Sequence, residues 1–189
     1  MAYIPKSEAH RIKNREEGRP HIAIAKTDRW ASPPHIIEAV EKEFGRISLD
    51  PAADAENAVA HRFFTKEEDG LTIPWRGDLV YVNPPYGRVL NQWIDHALKQ
   101  YDEGYAKRIV MLLPSRTCTR WFHRLLNRSD VEIRFIKGRL KYGDGSGTAP
   151  FPSMLVVIGC DQQNLSTALE IMTDKQIAQY MEAIGVMPE

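Results

Sequence analysis

Two hydrophobic rhythms alternate along this chain. Leu79 to Val82, Arg108 to Leu113 and Met154 to Ile158 are almost unbroken apolar runs, as strands covered on both faces are. Val131 to Ile136 reads as a further short strand, and Ser153 to Cys160 gives a last strand that pairs back on it. Between these runs apolar residues return at helical spacing. Ile36, Ile37, Val40 and Phe44 share one face of a helix capped by Ser32, with Pro33 in its first position and Gly45 as its stop. Trp93, Ile94, Ala97, Leu98 and Tyr101 form the inner stripe of a second helix, Val89 to Tyr101. Trp121, Phe122, Leu125 and Leu126 form that of a third, capped by Ser115 and running to about Asn127. Arg46 to Asp50 and His61 to Phe64 read as two short strands, and the ten residues between Asp50 and His61 leave space for a short helix or none. A closing helix is expected from about Leu165 to Ile184. This alternation predicts an α/β fold: a mixed, mostly parallel sheet with helices on both faces and a final antiparallel hairpin.

A chain of 189 residues suits one domain. Residues 1–27 are rich in charged and small residues without a sustained stripe. They read as a flexible basic arm carrying Arg11, Lys13, Arg15 and Arg19, ahead of a single domain over 28–189. The formal net charge is zero, yet residues 107–142 hold ten Lys/Arg against two Asp/Glu. Such a block suits a face that meets a polyanion, or a solvated helix and edge strand. Within it Arg116, Arg120, Arg124 and Arg128 recur every fourth residue. Cys118 and Cys160 are the two cysteines, and the six histidines are scattered, so no disulfide framework and no metal site is expected. No apolar stretch approaches the roughly 18 residues of a membrane span, and no signal-type apolar region opens the chain, so a cytoplasmic protein without membrane contact is expected.

The chemistry concentrates where the Leu79–Val82 run stops, at Asn83-Pro84-Pro85-Tyr86-Gly87. Neither proline can donate to a ladder, and each drives its predecessor out of the helical region. Asn83 and Tyr86 therefore stand on a stiff loop at the carboxyl end of a strand, where open α/β sheets bind ligands. This loop resembles motif IV of the S-adenosylmethionine-dependent amino-methyltransferases. Other segments fall into the same order. Trp30-Ala31-Ser32-Pro33 resembles the aromatic-x-Thr-Pro element of motif X, and Leu49-Asp50-Pro51-Ala52-Ala53-Asp54 resembles motif I with Ala53 and Asp54 in place of glycines. Asp69-Gly70-Leu71 resembles an Asp-x-Leu segment, and Pro150-Phe151-Pro152-Ser153 the motif VIII hairpin. Together they resemble the small phage-type DNA N6-adenine methyltransferases, the Dam-like group of phages and prophages.

The resemblance implies a Rossmann-like class I methyltransferase fold, S-adenosylmethionine as methyl donor, and adenine N6 in DNA as acceptor, in the cytoplasm of a bacterial host. It places Trp30, Ser32, Pro33, Asp50, Ala52, Asp54, Glu68 and Asp69 at the cofactor, with Glu67 an alternative to Glu68 for the ribose. Asn83, Pro84, Pro85 and Tyr86 would be catalytic. The Asn83 oxygen and the Pro84 carbonyl would each accept an N6–H bond, Pro85 would fix that presentation, and Tyr86 would stack on a flipped-out base. Arg88, Arg116, Arg120, Arg124, Arg139 and Lys141 are the candidate nucleic-acid contacts. An RNA or protein-glutamine amino-methyltransferase, or a non-catalytic DNA-binding relative, remains compatible with the same loop; target sequence and oligomeric state are not implied.

Overall fold

The structure, a computed structural model, describes residues 31–142 and 148–160. The expected N-terminal arm, Trp30 and the expected closing helix lie outside these residues. Among the described residues seven elements follow in chain order: α1 (Pro34–Phe44), β1 (Gly77–Val82), α2 (Leu90–Asp102), β2 (Ala106–Pro114), α3 (Arg120–Leu126), β3 (Val131–Phe135) and β4 (Ser153–Ile158). The strands form one sheet in the order β1-β2-β4-β3. β1 and β2 are parallel, while β4 runs antiparallel to both its neighbours, with Met111 opposite Val156 and Ile133 also opposite Val156. The hairpin strand β4 thus inserts between β2 and β3, and β3 runs in the direction of β2.

The two weaker strands expected before β1 are single bridges. Leu49 pairs with Val80 and Asp50 with Phe63, both in parallel sense. Backbone bonds Tyr81 N–Leu49 O (3.0 Å), Asp50 N–Arg62 O (3.0 Å) and Phe64 N–Asp50 O (3.0 Å) continue the sheet outward from β1 for one residue each. Turns rather than a helix join Asp50 to His61. That compression brings Asp50 to the sheet's carboxyl edge beside the end of β1.

Both faces of the sheet are covered, which is why its strands read as continuous apolar runs. One face buries Val80, Val82, Ile109 and Met111 under Trp93, Ile94 and Ala97 of α2 and Phe122 and Leu125 of α3. The other buries Leu79, Tyr81, Val110 and Leu112 under Ile36 and Val40 of α1 and under the hairpin residues Leu140 and Tyr142. Arg134 of β3 is buried with its guanidinium between Glu132 (2.8 Å) and Glu43 of α1 (2.5 Å), over the ring of Phe44. This pairing ties the hairpin edge to α1, and nothing in the spacing of these residues announced it.

Two helix starts differ from expectation, and both matter for the site. Pro33, not Ser32, is the N-cap of α1, and Pro34 is its first residue. Neither proline has an N–H to be capped, so the Ser32 hydroxyl is left for other partners. The third helix begins only at Arg120, capped by Thr119, whose Oγ1 accepts from Phe122 N at 3.4 Å. Ser115 is not a cap: its N–H donates to Pro152 O (2.9 Å), so the chain there still lies alongside the hairpin.

Candidate active site

Asn83 follows β1 directly, and its side chain is fastened on both sides. Nδ2 donates to Ser32 Oγ (3.1 Å), and Oδ1 accepts from the Tyr86 hydroxyl (2.9 Å). Ser32 also accepts from the Tyr81 hydroxyl (2.9 Å), which explains why it is unavailable to the helix. Behind Tyr86, its hydroxyl lies 3.1 Å from Leu112 O and 3.3 Å from the Tyr142 hydroxyl, which in turn is 3.1 Å from Ser153 Oγ. The Tyr86 ring meets Phe151 edge to face at 5.4 Å. Burial raises the pKa of Tyr81, Tyr86 and Tyr142 above the ordinary phenol value, so all three remain neutral hydroxyls at physiological pH. The proline loop is therefore anchored from within: the tyrosine's polar end faces the asparagine.

Beside Asn83 opens a cavity of about 580 Å³, within the range of small-molecule sites. Ser32, Asp50, Ala52, Asp54, Asp69, Asn83 and Pro85 all line it, along with Glu67. These residues come from four separate stretches of chain. Asp50 is buried, and that burial raises its carboxyl to about pKa 6 although Val59 N and Ala52 N donate to it at 3.3 and 3.2 Å; the nearby Asp54 raises it further. Asp54 fixes its own turn, accepting from Glu56 N at 3.0 Å. Phe64, Leu71 and Trp93 supply apolar wall. Gly70 is where the Asp69 turn crosses the Asp50-Pro51 turn: a Cβ there would collide with the Pro51 carbonyl oxygen and crowd the Trp93 ring at 3.2 Å. Asp69 beside it adopts φ +53°, a left-handed conformation aspartate tolerates, with Oδ1 accepting from Leu71 N.

Other expected residues are placed differently. Glu68 does not line the cavity; it closes a local turn, its Oε2 accepting from Thr65 N (2.8 Å) while Thr65 Oγ1 faces Glu68 N. Pro33 and Pro84 are buried and do not line the cavity. The arginine stripe also divides. Arg124 is paired with Asp95 (2.6 Å) and Asn91 (2.8 Å) of α2, and Arg128 with Asp102 and Asp130 (both 2.6 Å). Acidic partners come from α2 for both arginines and, for Arg128, also from Asp130 two residues on. Arg116 lies outside the helix, so the regular spacing of the four arginines does not describe one surface. Arg88, Arg116, Arg120, Arg139 and Lys141 are exposed on segments that follow β1, β2 and β3, all at the sheet edge where Asn83 stands. Sequence reasoning missed Asn57, Phe64 and Trp93 at the cavity, and Tyr81 and Tyr142 behind the amide. Tyr81 carried a signal, since a tyrosine in an otherwise aliphatic buried strand needs a partner for its hydroxyl. Among the described residues, no group of three or more His, Cys, Asp or Glu is placed to hold a metal ion, and no helix is long and apolar enough to cross a membrane.

The chain resembles known proteins over most of its length. The family model for DNA N-6-adenine-methyltransferase (Dam) matches residues 19–171. A DNA N-6-adenine-methyltransferase of Escherichia phage T1 is 34% identical over 114 residues, 60% of this chain and 46% of the phage protein. This chain therefore spans less than half of that relative. A DNA N-6-adenine-methyltransferase of Haemophilus phage HP1 is 28% identical over 136 residues, 69% of this chain and 78% of its own. Among solved structures, a Streptococcus pneumoniae protein described as a tRNA (m1A22) methyltransferase, in complex with S-adenosyl-L-methionine, covers 82% of this chain and 79% of its own at 11% identity. Its TM-score of 0.33 is too low to carry an argument. With the family match extending from before α1 to beyond β4, the chain belongs to the DNA N-6-adenine-methyltransferase (Dam) family.

Proposed function

We propose that this protein transfers the methyl group of S-adenosylmethionine to N6 of a flipped-out adenine in DNA, in the cytoplasm of a bacterium hosting the phage or prophage that encodes it. The observation that carries the reading is the Asn83 amide, fixed between Ser32 and Tyr86 at the wall of the cavity. Adenine N6 is a weak nucleophile because its lone pair is delocalised into the ring. The Asn83 oxygen, oriented by Tyr86, would accept one N6–H bond, and the Pro84 carbonyl would supply another acceptor. Together they turn the amine's lone pair toward the methyl donor without a strong base. Positioning of this kind contributes up to about 7–11 kcal/mol in favourable cases.

The cavity residues fit the methyl donor. Asp50 offers a buried carboxylate for an ammonium group, Ala52 and Ala53 let the backbone approach closely, and Phe64 and Leu71 offer apolar contact for an adenine ring. Glu67 and Asp69 are the acids that face the cavity where hydroxyls of a ribose and an adenine amine would lie. When bound, the sulfonium supplies its own activated methyl group, so the protein needs no nucleophile. The sheet, covered on both faces and ended by a reversed hairpin, suits a Rossmann-like class I methyltransferase fold. Arg88, Arg116, Arg120, Arg139 and Lys141 would contact phosphates beside the extruded base, an extrusion that costs a few kcal/mol.

Incubation with labelled S-adenosylmethionine and DNA, RNA or protein, followed by nucleoside and amino-acid analysis, tests the reading. N6-methyladenine in DNA is expected. Label confined to RNA or to glutamine, or calorimetry showing no S-adenosylmethionine binding, would overturn it.

A further inference from the structure

The hydroxyl chain that holds Asn83 continues well past the cavity, into the hairpin. Tyr86 has a single hydroxyl proton and faces two oxygens that can only accept, Asn83 Oδ1 at 2.9 Å and Leu112 O at 3.1 Å. Its third neighbour, the Tyr142 hydroxyl at 3.3 Å, can donate to it, and Ser153 Oγ at 3.1 Å can donate to Tyr142 in turn. A donor arriving at the Tyr86 oxygen polarises that hydroxyl and strengthens the bond it gives to Asn83. The rings are coupled as well, since Phe151 packs on Tyr86 at 5.4 Å and on Tyr142 at 6.4 Å. Tyr142 is only 5% exposed and does not line the cavity, so its reach to the site runs through Tyr86. It directly follows Lys141, and exposed Lys137, Arg139 and Lys141 precede it on the same hairpin arm.

We infer that Tyr142 is a positioning residue for methyl transfer: acting through Tyr86, it orients the Asn83 amide oxygen and ties that orientation to the basic hairpin arm ending at Lys141. The inference rests on the function proposed above. Phosphate contacts at Arg139 and Lys141 hold the arm down, and the buried phenol at its end relays that placement to the amide.

Tyr142→Phe removes a single oxygen and keeps the ring. Its kcat is expected to fall roughly fivefold, the loss that one neutral hydrogen bond supports, with KM for S-adenosylmethionine unchanged. Because the effect passes through the Tyr86 hydroxyl, the Tyr86→Phe/Tyr142→Phe double variant should be no slower than Tyr86→Phe alone. Unchanged kcat in Tyr142→Phe, or losses that multiply in the double variant, would overturn the inference. Should Tyr142→Phe melt at lower temperature than wild type, Ser153→Ala decides. It should lower kcat about twofold in the wild-type background and not at all in the Tyr142→Phe background, and any other pattern refutes the relay. If wild-type protein methylates RNA rather than DNA, the substrate reading fails and the same comparison is decided on RNA. No transfer to any substrate refutes both.

Discussion

Replacing Asp50 by asparagine should stabilise the fold at pH 8 while weakening its hold on S-adenosylmethionine. The carboxyl is 5% exposed, and burial raises its pKa from 3.8 to about 6 against the opposing pull of two backbone N–H donors. That rise corresponds to roughly 3 kcal/mol by which the folded state disfavours the ionised form. The sign follows from linkage: a raised folded-state pKa contributes stability that is fully present below pH 3.8 and is lost as pH rises through about 6. At pH 8 the wild type therefore carries the whole penalty. Asparagine carries no charge and keeps one acceptor oxygen, so of the bonds from Ala52 N and Val59 N it forfeits one, at about 1 kcal/mol. The net gain at pH 8 is about 2 kcal/mol, a rise in Tm of roughly 4–8 °C for a protein of this size. At pH 4 the gain should vanish or reverse. Melting curves of both proteins at pH 4 and pH 8 measure the difference, and calorimetric titration at pH 8 measures cofactor affinity. An asparagine variant equally destabilised at both pH values would refute the reasoning, because the fold would then need the ion itself. Unchanged affinity would separately remove Asp50 from the ammonium site.

Asn83→Ala should lose methyl transfer by about 10²–10³-fold, comparable to deleting one fixed hydrogen-bond partner at a reacting centre, with cofactor affinity by calorimetry little changed. Gly70→Ala should lower the unfolding free energy measured by urea titration by about 1–3 kcal/mol, because its Cβ meets the Pro51 carbonyl, and should weaken cofactor binding through the same displaced turn. Arg116→Ala and Arg139→Ala should each reduce the slope of log K against log salt for DNA binding by about 1. Arg124→Ala should leave that slope unchanged, since its guanidinium is held by Asp95 and Asn91, and should change stability by less than about 1 kcal/mol.

What was legible in the sequence was set by local constraints. Continuous apolar runs located β1, β2 and β4, because strands covered on both faces leave little position for polar alternation; β3 alternates, with Glu132 and Arg134 buried between its apolar residues. Two prolines after an apolar run fixed the loop at Asn83, since they exclude both ladder and helix. Where two local rules competed, sequence reading erred by small but consequential amounts. Ser32 satisfies the N-cap preference on paper, yet Tyr81 and Asn83, some fifty residues away, claim its oxygen. Ser115 meets the same preference, but its N–H is drawn to Pro152 across the hairpin, and capping passes to Thr119. Charge misled for a related reason. Arg124 has no acidic neighbour within its own helix and is paired from α2, while Arg128, just past the helix end, is paired by Asp102 of α2 and by Asp130 before β3.

One of these displacements bears on function. Ser32 could have served its own helix, and it serves the carboxyl edge of the sheet instead. Ser32 leaves the cap to clamp the amide, Tyr86 turns its hydroxyl inward to the same amide, and Gly70 gives up a side chain so that two acidic turns can touch. Local preference predicts a residue's role when nothing else competes for it. Departures that converge on one point from stretches as distant as Ser32 and Tyr142 therefore locate the site without reference to any motif. That argument supports the proposed placing of the molecule's chemistry at the amide of Asn83. The same argument makes the hydroxyls around it, rather than the prolines beside it, the residues whose loss should most sharply separate turnover from folding.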